Sequence, residues 1–306
     1  MPTSDPSPLD HAPDRVLGPH TTVLVGLDGG RYPAGNSVLV VGADATAVID
    51  PSTSLRVRAQ VPGADHVVLT HTHEDHVAGV HLYPDAIVHV HEDDLIGIRS
   101  IDGLLDMFGM SGDRADAFRQ TLIDEFTYVA RPDAVGHVDG DVLDLGGATI
   151  RFVHLPGHTA GHCGLLIEPD GVLVTGDIDL SAFGPLYGDT YSSLDDFERS
   201  LQRVREIEAR WYVTFHHKGV IDGRDAFVEA LDAFASAIPR REDAMVAFAN
   251  EPRSMEDFVT HRFVYRPHVT LPFVDTVERR SAEMSLRRLV ASGRLTTTAD
   301  GRWQAR

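Results

Sequence analysis

The feature that most constrains this chain is the run His71-Thr72-His73-Glu74-Asp75-His76, which follows the apolar stretch His66 to Thr70 without a break. In extended backbone, residues two apart point the same way. His71 and His73 can therefore grip one cation from the end of a strand. Asp75 and His76 fall at the turn into a helix and can face a second cation. Imidazoles and a carboxylate at this density suit Zn2+, Fe or Mn2+ better than Ca2+ or Mg2+, which prefer oxygen shells. Three downstream segments offer further ligands, each at a predicted strand end beside a turn. They are the loop holding His158, Thr175-Gly176-Asp177, and Thr214-Phe215-His216-His217-Lys218. An acidic residue such as Asp177 is placed to bridge two cations.

The pattern around these segments alternates strand and helix. Apolar β-branched runs at 21–27, 37–41, 45–50, 66–70 and 86–91 read as strands. Gly146-Gly147 and Pro169-Asp170-Gly171 each sit between two apolar runs and predict hairpins. Residues 92–130 have apolar spacings of three to four and predict a helical insertion broken near Gly109 and Gly112. Within it, Met107, Phe108, Met110 and Phe118 are candidates for an apolar pocket, or for packing of the insertion itself. Helices are expected from Ser193 to about Glu208 and from Arg224 to about Ile238. Pro239 is the expected boundary between a catalytic domain (16–239) and a smaller, mostly helical domain (240–306) that closes with a hairpin. Residues 1–15, rich in Pro, Ser and Asp, read as a disordered tail.

Charge narrows the function. The chain carries 27 Lys+Arg against 46 Asp+Glu, a formal net of −19. Such a field repels phosphate, so general affinity for nucleic acid or an anionic membrane is not expected. From Arg240 onward the sign changes, with 12 Arg against 9 acidic residues. One cysteine, Cys163, excludes an internal disulfide framework. The absence of an apolar run long enough to span a bilayer and of a basic, apolar leader predicts a cytoplasmic protein.

Together, HTHEDH, the Pro-Gly-His-Thr loop, Thr-Gly-Asp and a late strand-end His resemble the metallo-β-lactamase superfamily, in its order and over about the first 235 residues. The resemblance implies an α/β fold, a four-layer αββα sandwich with two metal ions at one edge of its sheets. It implies that His71, His73 and His158 hold the first metal, that Asp75, His76 and the last His hold the second, and that Asp177 bridges. Aligning Val220-Ile221 with the apolar residues that follow the family's Gly-His-Gly puts His217 in the ligand slot and His216 in a glycine slot. Flavodiiron oxidoreductases of this fold have Glu where His73 stands, which disfavours that branch.

The expected cofactor is a pair of Zn2+ ions, with Fe or Mn as alternatives. Bound Zn2+ lowers the pKa of water from about 15.7 to about 7. The resulting hydroxide would attack a small ester, thioester or lactone carbonyl, with Asp75 orienting or deprotonating the water. The competing readings are a lactamase-like endoribonuclease or phosphodiesterase, and a mononuclear iron oxygenase. The ribonuclease reading rests on a pattern-level resemblance of residues 240–306 to a winged helix. In this acidic chain such a unit is expected to serve packing or a homodimer contact. The expected partner is a small-molecule substrate. Lys218, the sole lysine, is a candidate contact for a substrate carboxylate or phosphate. Asp50 is expected to support His73 or His76. His154 and His162 are expected to act as hydrogen-bonding neighbours of the site. His81, His89 and His91 are not expected to be ligands, and Cys163 is expected to pack.

Overall fold

The structure, a computed structural model, describes residues 12–306. Two sheets form its centre. The first contains, in spatial order, β1 (Arg15–Val16), β2 (Thr21–Leu24), β3 (Ser37–Val41), β4 (Thr46–Ile49), β5 (His66–Val68), β6 (Ile87–His91) and β7 (Val135–His137). It is antiparallel as far as β4 and parallel from β4 to β7. The second contains β8 (Val142–Asp144), β9 (Thr149–His154), β10 (Cys163–Glu168), β11 (Val172–Val174), β12 (Trp211–Val213) and β13 (Val220–Asp222). Its pairings are antiparallel except β11 with β12. The Gly146-Gly147 turn is possible because both glycines take left-handed φ, 80° and 83°.

Alternation in the strands builds the layers. Val38, Val40, Ala47, Ile49 and Val68 face Ile150, Phe152, Leu165 and Ile167 in an apolar slab between the sheets, where Cys163 is also buried. The outer face of the first sheet, with Val48, Val67, Val88 and Val90, is covered by Val77, Val80, Tyr83 and Ile98. These come from the one-turn helix α1 (Glu74–Val77), the segment after it, and α2 (Leu95–Arg99). The outer face of the second sheet is covered by α5 (Leu194–Arg205) and α6 (Arg224–Ala235) through Phe197, Leu201, Phe227 and Leu231. Ser193 caps α5 by accepting from the Asp196 N–H at 3.2 Å. This is the αββα sandwich. The insertion resolves into α2, α3 (Ile101–Met107) and α4 (Gly112–Asp124).

The C-terminal region comprises α7 (Ala237–Phe248), α8 (Met255–His261), α9 (Val274–Ala291) and the hairpin β14 (Leu295–Thr297)–β15 (Trp303–Ala305). It has a core of its own around Met245, Phe258, Leu286 and Leu295. Pro239 lies within the first turn of α7, where a missing N–H costs no helix bond. The chain therefore runs from α6 into α7 through Ser236 with no linker. Val277 of α9 also packs with Leu104, Phe108 and Phe118 of the insertion, and Ser281 donates to the Tyr187 carbonyl at 2.6 Å. Of the tail expected at 1–15, residues 1–11 lie outside the described residues. The rest is held: Asp14 pairs with Arg58 at 2.6 Å and accepts from the Val25 N–H, and Arg15 opens β1.

One row of polar residues interrupts the sandwich. His66 of β5, His89 of β6 and His137 of β7 are linked by ring nitrogens 2.9 Å apart at each step. Burial, then His137 and His66 beside it, push the His89 imidazole down to about 4. A base whose folded pKa lies below its unfolded value is protonated preferentially in the unfolded chain. Its stabilising contribution is complete above about pH 6.5 and is lost as pH falls through 6.5 towards 4. At about 1.36 kcal/mol per unit this amounts to about 3 kcal/mol near pH 4. We expect His89→Leu to flatten the fall in melting temperature between pH 6.5 and 4.5; equal slopes in variant and wild type would refute the assignment.

Candidate metal centre

Parallel pairing decides where the site forms. β4 and β5 run together, as do β11 and β12. β9 and β11, both antiparallel to β10, share a direction. The carboxyl ends of all five strands thus reach one edge of the sandwich. They deliver Asp50, the His71–His76 run, His158, Asp177 and His216.

Two groups of ligand-type atoms form there, the atoms of each lying within 4.8 Å of one another: His71, His73, His158 and Asp177, and Asp75, His76 and His216. Asp177 touches both. Its Oδ1 is 3.0 Å from His76 Nε2 and 3.9 Å from His216 Nε2, and its Oδ2 is 3.3 Å from His158 Nε2. His216 Nε2 is 2.9 Å from Asp75 Oδ2.

The outward nitrogen of each imidazole meets an acceptor. Asp189 Oδ2 is 2.6 Å from His73 Nε2, Asp50 Oδ2 is 3.0 Å from His76 Nδ1, and the Leu186 carbonyl is 2.8 Å from His158 Nδ1. The Gly30 and Ala34 carbonyls lie 2.9 and 3.0 Å from His216 Nδ1. Thr70 Oγ1, which donates to Asp50 at 2.6 Å, lies 3.2 Å from His71 Nδ1. The opposite nitrogens face inward, and that of His71 is buried with no hydrogen-bond partner. An outward proton fixed on an acceptor leaves an inward lone pair, as a cation requires.

Electrostatics follow from this crowding. Burial would raise the Asp177 carboxyl, yet His76 and His216 hold it well below the usual range. Burial opposes charge on His73 and His216, but Asp189 lifts the first to about 9, and Asp177 with Asp75 lifts the second to about 9. Burial, then His76, His73 and His158, push the His71 imidazole well down. Metal ligands bind as neutral imidazoles and carboxylates, so a cation held here would displace any proton shared between them.

The structure brings together six of the seven ligand candidates. The exception is His217, and His216 stands in its place. The turn from Thr214 to Gly219 closes on a 2.9 Å bond between Thr214 N–H and the Gly219 carbonyl. Within it His217 takes a left-handed φ of 55°. Its side chain is exposed and lies 3.9 Å from Asp179. His217 therefore fills the position where a glycine is favoured, and His216 is the residue turned inward. Lys218 is exposed in the same turn and does not line the adjacent cavity. Tyr187 is buried against the second sheet, and Tyr191 is exposed with its hydroxyl on Asp106. Asp50 supports His76 rather than His73. His162 accepts from the Asp177 N–H at 3.1 Å and His154 faces the Ala160 carbonyl.

Residues that no motif flagged complete the shell. Asp189 orients His73. Asp94, fully buried, accepts from Thr159 Oγ1 and Gly161 N–H at 2.7 Å each and fixes the loop of His158. Both lie in stretches with no recognisable spacing. Asp189→Asn keeps the shape and removes the charge. We expect it to weaken metal binding by about 10–100-fold in a chelator competition; a change below about twofold would take Asp189 out of this role.

A cavity of about 760 Å3 opens beside the two groups. His73, Glu74, Asp75, Asp177 and His216 line one side. Of the pocket candidates in the insertion, only Phe108 reaches it, its ring stacked on His73 at 5.1 Å; Met107 and Phe118 are spent on packing. No helix among the described residues is long and apolar enough to cross a membrane.

The sequence profile of the metallo-beta-lactamase superfamily matches residues 31–221. The chain belongs to that superfamily. It is 27% identical over 254 residues to a hydroxyacylglutathione hydrolase of Methylococcus capsulatus, covering 78% of this chain and 86% of the relative. It is 24% identical to a beta-lactamase-like protein 2 homolog of Caenorhabditis elegans, over 66% of this chain and 57% of the relative. An atrochrysone carboxyl ACP thioesterase of Aspergillus fumigatus is 27% identical, over 63% of this chain and 54% of the relative. The chain thus spans little more than half the length of these last two. A metallo-beta-lactamase family protein from Thermus thermophilus has the same fold, with a TM-score of 0.70 at 22% identity over 95% of this chain and all of that one.

Proposed function

We propose that this chain is a metal-dependent hydrolase acting on a small thioester or ester, with two divalent ions, Zn2+ by donor type, held by His71, His73, His158 and Asp177 and by Asp75, His76, His216 and Asp177. The observation that carries the reading is the set of five imidazoles anchored outward and converging inward beside an open cavity. Such ions supply Lewis acidity and lower the pKa of water to about 7. Asp75, 2.9 Å from His216, orients the attacking water at the cavity floor and accepts its proton. Asp177 keeps the two ligand groups at a fixed separation. His73 and His76 are held against Phe108 and Phe215, at 5.1 and 3.7 Å, so their rings cannot swing.

The relatives named hydroxyacylglutathione hydrolase and thioesterase favour a thioester carbonyl over a phosphodiester. The test is metal quantification on purified protein joined to a hydrolysis screen over thioesters, lactones, phosphodiesters and β-lactams. Two divalent ions per chain and thioester turnover that chelation abolishes are expected. One iron per chain with oxygen uptake, or turnover of RNA alone, would overturn the reading.

A further inference from the structure

Two buried charges of the C-terminal helices hold the cavity's outer walls. Glu278 of α9 is 1% exposed. Its oxygens accept from three successive backbone N–H groups, Phe263 at 2.9 Å, Val264 at 3.0 Å and Tyr265 at 2.6 Å. Consecutive N–H groups in this arrangement form an anion-binding concavity, here filled by the chain's own carboxylate. Arg241 of α7 donates to the Phe183 carbonyl at 2.6 Å and to the Pro185 carbonyl, and its guanidinium lies over the Phe183 ring. One charge thus pins the segment entering 263–273 and the other pins 183–185. The two walls meet where the Phe183 and Tyr265 rings lie 5.4 Å apart. From there aromatic contacts run through Phe273 (6.3 Å from Tyr265) to Phe108 (5.9 Å from Phe273), which stacks on His73. A continuous aromatic face therefore connects the cavity mouth to the ligand groups.

We propose that this face is an acyl-binding subsite for substrates with an aromatic or similarly bulky apolar acyl group, and that Glu278 and Arg241 are the positioning residues that hold it open. The inference rests on the hydrolase reading for which bond is cleaved. Leu271 and Val277 complete the apolar lining of this face. A short acyl group would leave this surface wet, whereas a ring would displace its water.

The experiment uses the full chain loaded with Zn2+. Binding of acetate and of 2-naphthoate is read by calorimetry, without turnover. Acetyl and 2-naphthoyl thioesters of one thiol are then compared kinetically. The wild type should bind 2-naphthoate at least about tenfold more tightly than acetate. Glu278→Gln should cut that preference at least tenfold and raise KM for the naphthoyl thioester much more than it changes kcat, with metal content retained. Leu271→Ala, at a half-buried position, should cut the same preference and provides the test if Glu278→Gln does not fold. Equal binding of the two carboxylates, or an unchanged preference in the folded variants, overturns the proposal. Naphthoate preference lost in Leu271→Ala without hydrolysis of any thioester would uphold the subsite and defeat the thioester reading. Thioester turnover with no acyl preference would do the reverse.

Discussion

Asp75→Ala and His76→Ala are each expected to lower kcat/KM by about a thousandfold or more, about 4 kcal/mol, and to remove about one metal ion per chain. Neither side chain has slack. Asp75 is almost fully buried and faces His216 at 2.9 Å; His76 lies between Asp50 and Asp177 at 3.0 Å from each. Removing His76 leaves two buried carboxylates without their shared cationic or metal-ligating partner, the costly case of an uncompensated charge. The His71, His73 and His158 group keeps its own outward anchors, so it should retain its ion. Metal analysis by mass spectrometry, beside initial rates on the substrate found in the screen, reads both effects. Full activity with two ions in either variant would contradict the assignment.

His216→Ala should reproduce that loss, while His217→Ala should keep both ions and lose less than about tenfold in kcat/KM, about 1.4 kcal/mol. The difference lies in one backbone turn. His216 Nδ1 reaches the Gly30 and Ala34 carbonyls, which aims Nε2 at Asp75. His217, at φ 55°, is turned towards solvent and only borders the cavity. Metal lost from His217→Ala and retained in His216→Ala would reverse the two roles.

The same turn shows why part of the site was hidden in the sequence. A Gly-His-Gly motif has a glycine on each side of its ligand, and alignment on Val220-Ile221 places His216 in the first of them. Here the left-handed residue is the one after the ligand, and a histidine fills it. Adjacent identical side chains carry no signal of which one faces inward; only backbone torsion decides. Lys218 stood out by its rarity, yet rarity says nothing of direction, and it faces solvent. Glu278, Arg241, Asp94 and Asp189 were invisible for another reason. Each acts on backbone or on a histidine more than 30 positions away, except Glu278, whose partners lie 13 to 15 residues earlier across a loop.

What the sequence determined by itself was local: strand and helix periods, hairpin glycines, and the ligand types in HTHEDH, because those depend on spacings of two to four residues. The convergence of five strand ends on one edge came from parallel pairing between β4 and β5 and between β11 and β12. The choice of His216, the anchoring of each imidazole and the aromatic wall also came only from tertiary structure. Those features depend on contacts between segments far apart in the chain, and their geometry is set by packing rather than by any repeat in the residues themselves.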